Sequence, residues 1–257
     1  NAQQIQTLTD AWRTWGDWHK YNRRGRAAQK TLEAALVLSD TRAAVIWLQQ
    51  HGDLKNYADV HGVSLAEVYE HWLFDFGFDE RGKCVFDLGV TTVEVTLTHE
   101  LGLSLYDTAR KKVIKSIPRK GVDPEVQKKS SDELTDMRQN LKKALKVKKD
   151  QLYEVYLEGT EVQAESWKQR YLVNPFQRHI AQLLVWTQGD KTFTLSGAGS
   201  IDSAGVTYEL TDEAIKLAHP MELSEGEVRE WQKYFTAHTL KQPFEQIWEP
   251  TYRAEEI

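Results

Sequence analysis

The sequence predicts an α+β protein, and three observations predict it. Apolar residues recur with a helical period of about 3.6 through residues 8–73, and the period then drops to 2 near residue 83. A single long apolar stripe over about 124–158 follows, and a second alternating region comes after it. This divides the chain into a helical segment, 1–76, and an α+β domain, 77–257. Within the domain lie a meander at 83–117, a linker at 118–123, the long helix, and a second β/α region at 160–250.

The first helices follow from spacing. Leu8, Trp12 and Trp15 recur at i, i+4 and i+7, and Ala28, Leu32, Ala35 and Leu36 repeat the pattern. Ala43, Ile46 and Trp47 continue it, with Asp40 as the expected cap of the third helix. Ser64 and Glu67 have capping-box spacing, flanked by Val63 and Val68 as a hydrophobic staple. Short amphipathic helices with short links read as the end of a helical-repeat array.

Strands come next. Cys84, Phe86 and Leu88 alternate with Val85 and Asp87, and Val93, Val95 and Leu97 alternate with Thr92, Glu94 and Thr96. Leu101, Leu103 and Leu105 and then Lys112–Ile117 complete an antiparallel meander of four strands. The linker ends at Pro124, and Leu134, Met137, Leu141, Leu145, Leu152 and Val155 stripe the long helix that Gly159 ends. A helix near 161–172 precedes Asn174-Pro175, where Pro175 opens another. Leu183–Thr187, Thr192–Leu195 and Gly205–Leu210 read as strands, and Thr211 as the cap of a short helix. Ser224 and Glu227 box the last helix, whose buried face is Val228, Trp231 and Phe235.

Residues 75–89, DFGFDERGKCVFDLG, hold the letters of a phosphate loop (Gly77, Gly82, Lys83) and of a kinase magnesium motif (Asp75-Phe76-Gly77). Both readings fail on context. A phosphate loop runs strand, loop, helix, whereas this stretch runs helix, turn, strand. Cys84 stands where a magnesium-binding hydroxyl belongs, and no His-Arg-Asp catalytic loop exists in the chain. The stretch is a polar turn with Phe76 and Phe78 packed beneath it. Trp15-Gly16-Asp17 lacks the Arg of a Trp-Gly-Arg module. The eight histidines form no His-Glu-x-x-His pattern, and there is no Gly-x-Ser-x-Gly elbow. Ser196-Gly197-Ala198-Gly199-Ser200 is a flexible loop of a kind that sometimes binds anions and more often only joins strands. No cofactor and no metal site is expected, and no catalytic residue stands out.

Charge is the main electrostatic feature. The net charge is −5, yet residues 110–149 hold 14 Lys/Arg against 5 Asp/Glu, and the rest of the chain holds 19 against 33. Arg110, Lys111, Lys112, Lys115, Arg119 and Lys120 fall on a strand, its turn and the linker. Lys142, Lys143, Lys146, Lys148 and Lys149 fall on the long helix. A helix folded back on the meander would join the two clusters into one positive face for a polyanion, nucleic acid included. The bland alternative is a solvated helix face.

With 40% hydrophobic and 28% charged residues the composition is that of a globular chain. No apolar run reaches the roughly 18–20 residues of a membrane span. One cysteine rules out an internal disulfide framework and fits a reducing, cytoplasmic setting. The start at Asn1-Ala2 and the charged end TYRAEEI read as the limits of a piece excised from a longer protein.

Four segments carry a family resemblance: Tyr171-Leu172-Val173-Asn174-Pro175, Leu183-Leu184-Val185-Trp186, His219-Pro220-Met221-Glu222-Leu223 and Gln242-Pro243-Phe244-Glu245-Gln246. In this order they resemble the uncharacterised domain in the C-terminal part of large bacterial MolR-like proteins, named as molybdate metabolism regulators. Gly62–Glu70, Asp75–Asp79 and Phe86–Gly89 resemble the segment that precedes it, so the resemblance covers roughly 55–250. It implies a regulator or a multidomain accessory protein, whose other parts often include a Trp-Gly-Arg module and helical repeats. It brings no catalytic residues and does not imply molybdate binding.

Three functions therefore stand as expectations. The first is a non-catalytic interaction or scaffold module whose partners are neighbouring domains of the same full-length chain or another protein. The second is polyanion binding through the basic band 110–149. The third is an enzyme with a site near His219, where Trp186, His219 and Glu222 would line a groove.

Overall fold

The computed structural model describes Ile5, residues 7–12, Thr14 and residues 23–250 except 80, 99 and 198. Trp15-Gly16-Asp17, His19, His99 and the tail TYRAEEI lie outside the described residues. The chain separates into two compact units, Asn1–Phe74 and Asp75–Ile257.

The first unit holds α1 (Arg23–Val37), α2 (Arg42–His51), α3 (Leu54–His61) and α4 (Leu65–Val68), which widens into a π-helical turn at Tyr69–Leu73. Leu36, Ala44, Val45, Leu48, Tyr57, Ala58 and Val68 are its buried apolar face. The Ser64–Glu67 capping box forms: Ser64 N–H donates to Glu67 Oε2 at 2.7 Å and Glu67 N–H to Ser64 Oγ at 3.2 Å. Asp40 does not cap α2. Thr41 accepts from Ala44 N–H instead, and Asp40 accepts the Tyr57 hydroxyl at 2.8 Å. A carboxylate one residue early is out of reach of the orphan N–H groups and found a phenol across the unit.

The second unit is α+β. Strands β1 (Lys83–Asp87), β2 (Thr92–Leu97), β3 (Leu103–Asp107) and β4 (Lys112–Ile114) pair antiparallel in the order β1-β2-β3-β4. In the entry turn Asp79 Oδ1 accepts from the N–H groups of Arg81 and Lys83, both at 2.9 Å, and Gly82 sits at φ +71°. Helix α5 (Pro124–Glu158) starts at Pro124 behind the cap Asp123 and ends at Gly159, φ +62°. Its 35 residues span about 50 Å at 1.5 Å each. Its early turns bring Leu134 and Met137 onto the inner face of the first sheet, against Phe86, Leu88, Val93, Val95, Leu105, Ile117 and Val122. Further along, Leu152 and Tyr156 are buried.

Helices α6 (Ala164–Val173) and α7 (Pro175–Ala181) lead into the second antiparallel sheet, of order β7-β6-β5-β8. Its strands are β5 (Trp186–Gln188), β6 (Lys191–Ser196), β7 (Gly199–Ile201) and β8 (Ile215–Leu217). A 3-10 turn at Pro220–Glu222 precedes α8 (Glu225–Ala237), which opens with the Ser224–Glu227 capping box. Trp231 and Phe235 pack with Val185, Ala218, Leu223 and Ile247, and Val228 joins them.

Two local expectations fail here. Gly205–Leu210 is not a strand: within it Thr207 alone bridges to Ile201, and Tyr208 N–H donates to the carbonyl of Ser200, while the residues that follow are held by a side chain. Gln188, 1% exposed, donates to the carbonyls of Thr211 and Glu213 and accepts from Thr211 N–H and the Tyr208 hydroxyl. Residues 211–214 are not a helix either. They lead into β8, which pairs with β5.

Candidate functional site

The basic band is spread over three elements. Arg110 is tied to its own turn: its N–H donates to Asp107 Oδ1 at 3.0 Å, and its Nε lies 3.7 Å from Asp107 Oδ2. Lys111 stands at φ +50° in the same turn, and Lys112 belongs to β4, the edge strand. Lysines on an edge strand discourage pairing with other sheets, which gives this cluster an architectural use. Arg138 of α5 donates to the carbonyl of Lys115 at 3.1 Å, so the end of β4 lies one turn before Lys142. Lys115, Arg119, Lys120, Lys142, Lys143 and Lys146 are exposed. Lys148 departs from the expected surface band. It is 0% exposed, its Nζ donates to Gln151 Oε1 at 3.0 Å, and it lies 5.0 Å from the Tyr171 ring centroid.

Trp186, His219 and Glu222 each have partners of their own. Trp186 is buried, donates from Nε1 to Ala181 O at 3.1 Å, and packs edge-on to Trp167. His219 stacks on Tyr156, with centroids 4.7 Å apart and planes at 18°, and its Nδ1 accepts from Met221 N–H. Glu222 pairs with Lys216 at 2.8 Å. The Tyr156 hydroxyl donates to Glu249 Oε2 at 2.7 Å. Burial first, and then this bond and charge, push its pKa far up. Trp186 followed an apolar run, and the period alone places it inside. His219 and Glu222 are turn residues whose polar partners, Met221 and Lys216, are near them in sequence.

Two clefts flank the Gly-rich loop. One, of about 450 Å³, is lined by Arg81 and Gly82 of the entry turn, Thr96 and Leu97 of β2, and Arg178, His179 and Gln182 at the α7 end. Gly197 closes one side. His179 Nε2 donates to the carbonyl of Thr98 at 2.6 Å, which fixes α7 to the end of β2. The other cleft lies between residues 201–207 and α8, with Glu230, Lys233, Tyr234 and His238 on its helical wall. There Ser203 donates to Glu230, and burial raises the Tyr234 pKa. Among the described residues no three His, Cys, Asp or Glu side chains converge as ligands of a metal ion would. Cys84 is no ready nucleophile: burial, and then the charges of Asp79 and Glu133, push its thiol up.

Residues 112–257 match a family described as a domain of unknown function, DUF4132. The match takes in more than half of the chain, from β4 through α5, the second sheet and α8. The chain belongs to the DUF4132 family. No curated protein and no solved structure matches it significantly. Strands β1–β3 and the Arg81 wall of the first cleft precede the DUF4132 region, whereas Arg178, His179 and Gln182 lie within it.

Inside the DUF4132 region, residues far apart in sequence meet. Asn174 caps α7 by accepting from Gln177 N–H at 3.0 Å. Gln246, 0% exposed, binds both the N–H and the carbonyl of Val185 and also the carbonyl of Ala218, next to His219. Gln242 Nε2 donates to Gln246 Oε1, and Gln242 Oε1 accepts from Ile247 N–H. No spacing rule pairs residues 61 positions apart, so sequence reasoning saw these segments only as landmarks.

Proposed function

We propose that this DUF4132 chain is an interaction module of a MolR-like bacterial protein, and that it docks through the outer face of its first sheet. One observation carries the reading. Val85, Glu94, Tyr106 and Val113 are successive partners across β1, β2, β3 and β4 and form one row on the face opposite α5. Val85 is 60% exposed, Tyr106 38% and Val113 69%. The single charge in the row, Glu94, is paired with Lys83 at 3.0 Å. An apolar row with its charge neutralised resembles the centre of a protein interface more than a solvated sheet face.

The charges beside it indicate the partner. Lys111, Lys112 and Lys115 border the Val113 end of the row. A complementary surface is apolar at its centre and acidic at that rim, and charge of this kind steers and orients docking. The resemblance to large multidomain proteins makes a neighbouring domain of the same full-length chain the partner proposed. Hydroxyl-radical footprinting tests this, comparing Tyr106 labelling in the 257-residue chain with that in the full-length gene product. Protection in the longer protein is expected. Equal labelling overturns the reading.

A second reading is polyanion binding through the basic band. The Arg138–Lys115 bond favours it, because it brings the β4 cluster alongside the lysines of α5. Binding to duplex and single-stranded nucleic acid across a salt series separates the two readings. Affinity falling steeply with salt, and lost in Lys142→Glu/Lys143→Glu/Lys146→Glu, supports the second. A flat response, or one untouched by the charge reversals, ends it.

A further inference from the structure

The cleft between the entry turn, β2 and α7 carries a proposal independent of the docking surface. Its described lining contains two guanidinium groups, Arg81 and Arg178, and no Asp or Glu. Neither guanidinium is in an ion pair among the described residues, although the chain as a whole carries net charge −5. Arg178 is half-buried. Arg81 is exposed, and two like charges lining one concave wall repel one another. An anion between them would relieve it. Thr96 and Gln182 add hydrogen-bonding groups to the same wall. The volume, about 450 Å³, lies within the range of small-molecule sites.

We propose that this cleft binds a phosphoryl group, with Arg81 and Arg178 as its two forks. Guanidinium groups match phosphate oxygens two at a time, and a pair of them balances a group bearing about −1.5 to −2 charge. Gly82 at the wall leaves the backbone open to close approach by a ligand. The stretch that fails as a nucleotide loop thus supplies Arg81 to a site built by tertiary contact. The phosphoryl group has two possible sources, free phosphate and a phosphate monoester.

Calorimetric titration of the 257-residue chain tests the proposal, with inorganic phosphate and phenyl phosphate as probes and acetate as the carboxylate control. Saturable binding of at least one phosphate probe, tighter than acetate, is expected. Arg178→Gln and Arg81→Gln should each weaken it about tenfold or more, and Arg178→Lys should fall between, since it keeps charge but loses the fork. Lys241→Gln, exposed and outside the cleft lining, should leave it unchanged. Phenyl phosphate binding about tenfold tighter assigns a monoester; equal or weaker binding assigns free phosphate. Urea midpoints check that each variant folds, and Arg178→Lys serves if Arg178→Gln does not. No saturable binding by either phosphate, or binding that folded Arg81 and Arg178 variants leave unchanged, overturns the proposal.

Discussion

The side chain of Gln246 pairs with the backbone of Val185 as one strand pairs with another. Val185 N–H donates to Gln246 Oε1 at 2.9 Å, and Gln246 Nε2 donates back to Val185 O at 2.7 Å. The second Nε2 hydrogen reaches Ala218 O at 2.9 Å, and Gln242 supplies Oε1 with its other donor at 3.0 Å. A primary amide carries two donors and two acceptor positions, and all four are used here. The link joins the start of β5, the end of β8 and the segment after α8. Gln242 and Gln246, which read as family landmarks, are therefore part of the frame of the domain.

Lys148 should behave unlike its neighbours in the basic band. Its ammonium is buried against Gln151 and the Tyr171 ring. Reversing that charge places a carboxylate in the same enclosure, so Lys148→Glu should cost about 3 kcal/mol or more in urea unfolding. The triple charge reversal at Lys142, Lys143 and Lys146 should change stability by no more than about 1 kcal/mol, since those side chains are exposed.

Asp107 makes stability depend on acid pH. The backbone N–H of Arg110 lowers its pKa most, and the Thr91 hydroxyl and the Arg110 charge add to this against the effect of burial. A carboxyl with a depressed folded-state pKa contributes stability that is full above its unfolded value, near 3.8, and lost as pH falls through the lower folded value. Asp107→Asn should lower the melting temperature at neutral pH and flatten its decline below about pH 4. Thermal melts across an acid pH series check this. An unchanged acid limb would contradict it.

Lys111 holds a left-handed backbone, φ +50°, in the β3–β4 turn. That conformation costs an ordinary L-residue roughly 1 kcal/mol, and Asn tolerates it better. Lys111→Asn should therefore stabilise the chain by about 0.5 kcal/mol in chemical denaturation, while removing one charge from the basic edge.

Much of the architecture is legible in the sequence because it is local. Capping boxes at Ser64 and Ser224, Pro124 and Pro175 at helix starts, and alternation in the first sheet each need only a few neighbouring residues. The failures share a cause. Val206, Tyr208 and Leu210 alternate like a strand, but the N–H and carbonyl of Tyr208 are both taken by Ser200, and the Val206 carbonyl by the Asp202 N–H of a local turn, so only an isolated bridge forms. Ile215–Leu217 is too short to show a period, and the Thr211-Asp212-Glu213 start signal masks it. Lys148 follows Ala144 by one helical turn on the buried side, and its chemical type concealed what its position indicated. The cleft was not legible, because Arg81 and Arg178 come to line one cleft only through tertiary contacts such as that of α7 with the end of β2.

The most direct test of the internal frame is equilibrium urea unfolding of Gln246→Glu. A carboxylate has the same shape but cannot donate to Val185 O and Ala218 O, and it buries a charge between them. The frame predicts a loss of about 3 kcal/mol or more, with the signal of the second sheet lost first. A variant within about 0.5 kcal/mol of the wild-type chain would contradict it.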